Sequence, residues 1–328
     1  MKIIFIAFFS FFITSIASAS LETITIPNAK CGNGGPYSVF IDQRDDEKLM
    51  VEFMGGGACW DYESCFILPH TWIFPVPNLK SLSLFTNNDY EKNFLKDHSK
   101  IYFPYCTGDI HAGKHVGYYG NHSRVFHNGK NNVDLALNYL ISKKLISFNK
   151  VNDLVVWGAS AGALASMIHS KSLEKLIKPR AHKTMIADSP GLHWGKNFWD
   201  KFPKDSLEDY DDAFNKINVQ IDFSDGLVVK DLKPFFKNYK NWNIGFLLAT
   251  RDFVMTTIFG DINPDEQEDL ILSKRGLPKM SEKYPNVKNW VATTNMHTFL
   301  LLSKSAEMKS IDGESAIDFA KRIYELRP

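Results

Sequence analysis

Gly158-Ala159-Ser160-Ala161-Gly162 is the stretch on which the reading of this chain turns. Ahead of it, Asp153–Trp157 is a short apolar run of strand length. Behind it, Ala161–Ile177 carries few helix breakers and reads as a helix. A strand feeding directly into a helix leaves one tight turn, and Ser160 sits at its apex. On such a turn the residues two before and two after the serine must be very small, and here both are glycine. The helix start also places free backbone N–H groups and the positive end of a dipole beside that serine. A pentapeptide this short can arise by chance, and the plain alternative is a glycine-lined turn whose serine caps the helix. The strand–turn–helix context is what makes it a candidate nucleophile elbow.

Outward from this point, strands and helices alternate, which predicts a layered α/β sheet. Leu21–Ile26 and Tyr37–Asp42 read as a strand meander. Lys48–Phe53 is a strand running into Gly55-Gly56-Gly57, and Lys100–Phe103 is a strand ending at Pro104-Tyr105-Cys106. Val133–Ser142 has apolar residues at helical spacing. Thr184–Ala187, Ile244–Ala249 and Trp290–Thr293 are further strands, and Ala316–Leu326 closes the chain as a helix. No repeat, low-complexity tract or linker divides residues 20–328, so a single domain is expected. Residues 191–241 are rich in aromatics, with Trp194, Phe198, Trp199, Phe202, Phe214 and Phe223, and read as an insertion capping the sheet. Most of those rings are expected to pack the cap itself, with one or two left to line a pocket.

A serine hydroxyl is a weak nucleophile and needs an imidazole to take its proton. Among ten histidines, His297 follows the last predicted strand, late in the chain, where the serine–acid–histidine order of α/β-hydrolases puts the base. His169, His182 and His193 come too early or on the wrong elements. The acid that orients the imidazole is expected at Asp252, just beyond the preceding strand; Asp188, directly after the strand that follows the elbow, is the serious alternative, and Asp225 and Asp261 are weaker ones. An oxyanion needs backbone N–H donors held in place. Ala161 supplies one, and the glycine run after Lys48–Phe53 supplies Gly56 and Gly57, where a bare backbone can approach a substrate closely.

The rest of the composition sets limits. A formal charge of +1 over 328 residues gives no footprint for nucleic acid or an anionic membrane. Lys2, the apolar run Ile3–Ile16 and the small residues Ala17-Ser18-Ala19 read as a secretory signal peptide over residues 1–19. No later run is long enough to span a membrane. The expected product is exported, extracellular or periplasmic, and monomeric. Four cysteines, Cys31, Cys59, Cys65 and Cys106, suit an oxidising compartment and two disulfides, for which three connectivities exist. Cys59 and Cys65 are close enough to close a small loop, which leaves Cys31 with Cys106. No Cys-x-x-Cys spacing favours zinc. Asn121-His122-Ser123 is an N-glycosylation sequon if the chain passes through a eukaryotic secretory route.

Four blocks together resemble the pectin acetylesterase family: Met54-Gly55-Gly56-Gly57-Ala58-Cys59-Trp60-Asp61, Pro104-Tyr105-Cys106-Thr107-Gly108-Asp109, Gly158-Ala159-Ser160-Ala161-Gly162-Ala163 and Asn295-Met296-His297. They occur in family order between about residues 31 and 300. The resemblance implies an α/β-hydrolase-like fold and an exported serine carboxylesterase without metal or cofactor. Its site would be a Ser160–His297–Asp252 triad, with Gly56, Gly57 and Ala161 as oxyanion donors. It also supports the pairs Cys59–Cys65 and Cys31–Cys106. The implied substrate is an acylated small molecule or polysaccharide, O-acetyl groups first and longer lipid esters second. A non-catalytic carbohydrate-binding protein on the same scaffold would be expected to carry a broken triad, and a peptidase would need a feature selecting amides, which is not seen. Asp109 belongs to a family block and is expected to hold its loop against the sheet. Gly57-Ala58 departs from other members, which carry a bulky aromatic near that point, so the acyl pocket is expected to differ in width.

Overall fold

The strand leading to Ser160 lies inside an eight-stranded sheet. The computed structural model describes residues 21–68, 71–77 and 83–326; the expected signal peptide lies outside them. In chain order the strands are β1 (Glu22–Lys30), β2 (Pro36–Asp42), β3 (Asp45–Phe53), β4 (His98–Phe103), β5 (His115–Tyr119), β6 (Ser123–His127), β7 (Asp153–Ala159), β8 (His182–Asp188), β9 (Asn243–Ala249) and β10 (Val287–Ala292). The main sheet runs β1-β2-β4-β3-β7-β8-β9-β10, and β5 and β6 form a separate hairpin. All pairings from β4 to β10 are parallel, while β2 is antiparallel to both its neighbours. This is an α/β-hydrolase-like sheet. Every residue of β7 is buried, as a central parallel strand covered on both faces requires.

Helices α1 (Tyr62–Phe66), α2 (Gly129–Ser142), α3 (Ala161–Glu174) and α4 (Lys204–Asn215) and a C-terminal helix, Ala316–Glu325, flank the sheet. Parallel strands all end on one edge, and there β3 delivers the glycine run, β7 Ser160, β9 Asp252 and β10 His297. Ligand sites of open α/β sheets form beyond these carboxyl ends. The four cysteines form Cys31–Cys106 and Cys59–Cys65, each with Cα atoms 5.0 Å apart. Among the described residues no helix is long and apolar enough to cross a membrane. The strand spans read from the sequence match within a few residues. The hairpin β5–β6, helix α1 and the turn at Val254–Ile258 carry no periodicity long enough to be read that way.

Residues 191–241 hold short helices whose rings join the same hydrophobic cluster as the sheet. The share of rings expected to stay inside a cap needs correcting. Trp194, Phe198, Trp199, Phe202 and Phe214 all line a cavity at Ser160, and only Phe223 does not; it packs on Trp199, ring centres 5.0 Å apart. Composition marks the stretch as buried, but the side of the rings that faces the serine depends on how α4 and its approach fold over the strand ends.

Candidate active site

Ser160 has φ 57° and ψ −125°, a left-handed conformation rare for a residue with a side chain. The flanking glycines make it possible. A Cβ on Gly162 would lie 1.9 Å from the Phe53 carbonyl oxygen, and one on Gly158 would lie 2.2 Å from that of Gly162. The elbow is pinned beneath, where Ser160 N–H donates to the Asp188 carbonyl at 2.8 Å. The Ser160 side chain makes no capping bond to α3, which removes the plain reading of it as a helix cap.

His297 and Asp252 meet: Nδ1 lies 2.7 Å from Oδ2. A carboxylate can only accept, so the ring N–H donates and Nε2 is left as the basic nitrogen. Nε2 has no hydrogen-bond partner, and His297 shares a groove with Ser160. The other oxygen of Asp252 accepts the N–H groups of Val254 and Met255, both at 3.0 Å. The carboxylate is therefore fixed by the turn that follows it, which the sequence reading did not foresee.

Asp188, the alternative acid, is fully buried and turned elsewhere. Its Oδ2 accepts the N–H groups of Phe299 (2.7 Å) and Leu300 (2.8 Å), and Oδ1 accepts the Ser189 hydroxyl (3.0 Å). Burial raises its pKa to about 6 against the lowering effect of those bonds. It anchors the loop carrying His297. Asp225 pairs with Lys230 and Asp261 with Lys201. His169 bonds the His111 carbonyl, His182 meets Asp153, and His193 bridges the Gly191 carbonyl and the Leu277 N–H. Each of these histidines has a structural partner.

The glycine run curls over the elbow. Gly57 has φ 76°, where a side chain is strained. A Cβ on Gly56 would overlap the Tyr105 ring at 2.2 Å. Tyr105 braces the run, its hydroxyl donating to the Gly57 carbonyl at 2.7 Å and accepting the Ile110 N–H at 2.8 Å. Ala161 is the first residue of α3, so helix geometry leaves its N–H unpaired. Asp109 is buried and accepts from the Thr107 hydroxyl (2.6 Å), the His111 N–H (3.1 Å) and the Gly129 N–H at the start of α2 (2.7 Å).

Two spaces meet at Ser160. One is a small apolar pocket of about 50 Å³, lined by Gly57, Ala58, Ala161 and the rings of residues 194–214. The other is a groove of about 460 Å³ that takes in Gly56, Gly57, Ser160 and His297. Glu52 lies along the groove and was not singled out from the sequence, although a lone carboxylate in the run Leu49–Phe53 is the signal that could have found it. It is buried, accepts the Ser83 hydroxyl at 2.8 Å, and has its pKa raised by burial to about 8. Cys59, Cys65 and His127 cluster nearby, but the two sulfurs are bonded to each other and offer no thiolate.

A strained serine on a strand–turn–helix elbow, with a histidine–aspartate pair on neighbouring strand ends of a parallel sheet, defines the α/β-hydrolase class of serine enzymes. Within that class, the chain belongs to the pectinacetylesterase family, whose model matches residues 14–214. That match takes in Ser160, Ala161 and the glycine run; Asp252 and His297 lie beyond it. A planarian relative, palmitoleoyl-protein carboxylesterase NOTUM of Schmidtea mediterranea, is 22% identical over 172 residues, which is 48% of this chain and 31% of the relative. The aligned part thus spans about a third of that protein. Two crystal forms of the Wnt deacylase Notum from Drosophila share the fold at a TM-score of 0.62 and 17% identity. They cover 94% of this chain and 95% and 93% of theirs.

Proposed function

We propose that this protein is an exported serine carboxylesterase that removes acetyl groups from hydroxyls of a polysaccharide, with Ser160 as nucleophile, His297 as base and Asp252 as the acid that orients it. The observation carrying this reading is that a strained, uncapped Ser160 shares one groove with a His297 whose Nδ1 is held by Asp252 and whose Nε2 is free. His297 Nε2 takes the proton of Ser160 Oγ as Oγ attacks the ester carbonyl carbon. The carbonyl π electrons move onto oxygen, and the N–H groups of Gly56, Gly57 and Ala161 stabilise that charge. Collapse of the intermediate breaks the bond to the alcohol oxygen, which leaves with the proton from His297. Water then attacks the acyl-enzyme, its proton passing through His297 back to Ser160, and the carboxylic acid departs.

The choice of acyl group follows from the cavity. At about 50 Å³ it has a third of the ~150 Å³ of an apolar cavity that accepts a benzene ring. An acetyl group suits it, and an octanoyl chain does not unless the walls part. The groove, nine times larger, suits the alcohol side. A longer lipid ester is the second reading, favoured by the aromatic lining of the cavity and by the names of the relatives. Two disulfides and the leader-like N-terminus support an extracellular or periplasmic address. Hydrolysis of p-nitrophenyl acetate, butyrate and octanoate by the protein and by Ser160→Ala tests the reading. Preference for acetate, abolished in the variant, is the expected result. Equal rates for protein and variant refute the mechanism.

A further inference from the structure

The wall of the small pocket beside Ser160 comes from three separate parts of the chain. Phe198 and Phe202 belong to the aromatic stretch, Phe259 to the loop after the Asp252 turn, and Gly57 and Ala58 to the glycine run. Trp60 continues that run and meets two of these rings in T-shaped contacts, Phe202 with centres 5.5 Å apart and Phe259 at 6.1 Å. Its backbone is fixed, the N–H donating to the Ser64 hydroxyl at 2.9 Å beside the capping box of α1 and the Cys59–Cys65 disulfide.

Lys201 touches all three parts. It ends the short turn Phe198–Lys201 and is not itself one of the residues lining the pocket. Its Nζ lies 4.8 Å from the centre of the Trp60 ring and 4.7 Å from that of Phe198. The same ammonium donates to the Phe259 carbonyl and pairs with Asp261 Oδ2 at 2.7 Å. The aromatic stretch also meets the loop where Gly195 N–H donates to the Gly260 carbonyl at 2.7 Å, but that bond does not involve Trp60. The Lys201 side chain is only 15% exposed, against 51% for Asp261, so the lysine bears most of the cost of taking charge out of water. A methionine of similar length would touch the same rings without that cost. What the ammonium adds is directed attraction, to the faces of two rings and to the lone pairs of a carbonyl and a carboxylate.

We propose that Lys201 is a positioning residue that sets the acyl-chain limit of this enzyme: it draws Phe198 and Phe259 in against Trp60 and so holds the pocket at the size of a short acyl group. The proposal rests on the esterase reading and on that pocket as the acyl site. At about 50 Å³, the pocket admits a further methylene only if its walls part. Parting them pulls the ammonium off a ring or off the Phe259 carbonyl, in surroundings where water is largely kept out and such attractions are stronger than in bulk solvent. The limit on chain length is then held by a charge behind the wall as well as by the bulk of the rings that form it.

The test compares Lys201→Met, which keeps an apolar stem and removes the charge and its donors, with Lys201→Arg, which keeps both. Steady-state kcat and KM are measured on p-nitrophenyl acetate, butyrate and octanoate, with thermal unfolding to establish that the variants are folded. Lys201→Met is expected to raise the octanoate-to-acetate ratio of kcat/KM about tenfold or more, the worth of about two methylenes newly accommodated, and to do so through the KM for octanoate. Lys201→Arg should stay within about threefold of the unaltered ratio. Should Lys201→Met fail to fold, Asp261→Asn loosens the tie from its exposed side. Asparagine tolerates the left-handed backbone at that position, φ 49°, and the ratio should rise about threefold. Binding is read separately in the Ser160→Ala background, by calorimetry with sodium octanoate and sodium acetate, where adding Lys201→Met should tighten octanoate about tenfold relative to acetate. That arm needs no catalysis: octanoate binding that follows Lys201 in a protein that cleaves no ester would sink the esterase reading and support the tie. An unchanged ratio in Lys201→Met overturns the proposal, as does an equal change on all three esters, which would give Lys201 a general structural role. A ratio in Lys201→Arg that moves as far as in Lys201→Met overturns the part played by the charge.

Discussion

Replacing Asp252 by asparagine separates the two candidate acids with little disturbance of the fold. The amide oxygen can keep the Val254 and Met255 N–H groups, each now 3.0 Å from Oδ1. The amide NH₂ then faces His297 Nδ1 across what is now a 2.7 Å bond. Being a donor, it forces Nδ1 to accept, and the ring proton moves to Nε2, the nitrogen that in the proposed mechanism receives the proton of Ser160. Selecting the wrong tautomer in a triad of this kind lowers kcat by about 10⁴, or ~5.5 kcal/mol in the barrier. Asp188→Asn is the control. Its amide oxygen can still serve Phe299 and Leu300, and its NH₂ can donate to the Ser189 hydroxyl, which sits 3.0 Å away. Its kcat should stay within about tenfold of the unaltered protein, since a wrong tautomer is not imposed. The assay is steady-state p-nitrophenyl acetate hydrolysis at neutral pH, with thermal unfolding to establish that both variants are folded. A fall of four orders of magnitude in Asp188→Asn, with Asp252→Asn nearly active, would refute the assignment.

Three further outcomes are expected. Phe198→Leu removes part of the cavity wall and should raise the butyrate-to-acetate ratio of kcat/KM by about fourfold per methylene newly accommodated, at ~0.8 kcal/mol each; an unchanged ratio would show that the acyl group binds elsewhere. Glu52 has a folded pKa of about 8, above its ordinary 4.5, so the stability it contributes is present below 4.5 and lost as pH rises through 8. Glu52→Gln should therefore gain stability over the unaltered protein between pH 5 and 8, by up to about 5 kcal/mol, read from urea unfolding at each pH; a constant difference contradicts this. Burial lowers His98, His111, His169 and His193 to about 4 and His127 to about 3. Lowered folded values mean stability held above 6.5 and lost as pH falls toward 4. Circular dichroism should show acid unfolding in that range, and a fold fully retained at pH 3 would count against it.

The sequence by itself determined the layered α/β sheet, because the central strands are apolar runs that only a sheet covered on both faces can bury. It also determined the elbow, since Gly158 and Gly162 flank a serine in the one local context where a side chain at either position would strike backbone. Local pattern reaches that far because strand, turn and helix are contiguous. It left the acid open between Asp188 and Asp252, as both end strands on the same edge of the sheet. Only the tertiary structure put Asp252 against His297 and turned Asp188 toward the N–H groups of Phe299 and Leu300, contacts that span 45 and more than 100 residues. The same holds for the cavity. Aromatic composition announced burial between residues 191 and 241, but only the packing of those rings over the strand ends decided that they line so small a space beside Ser160.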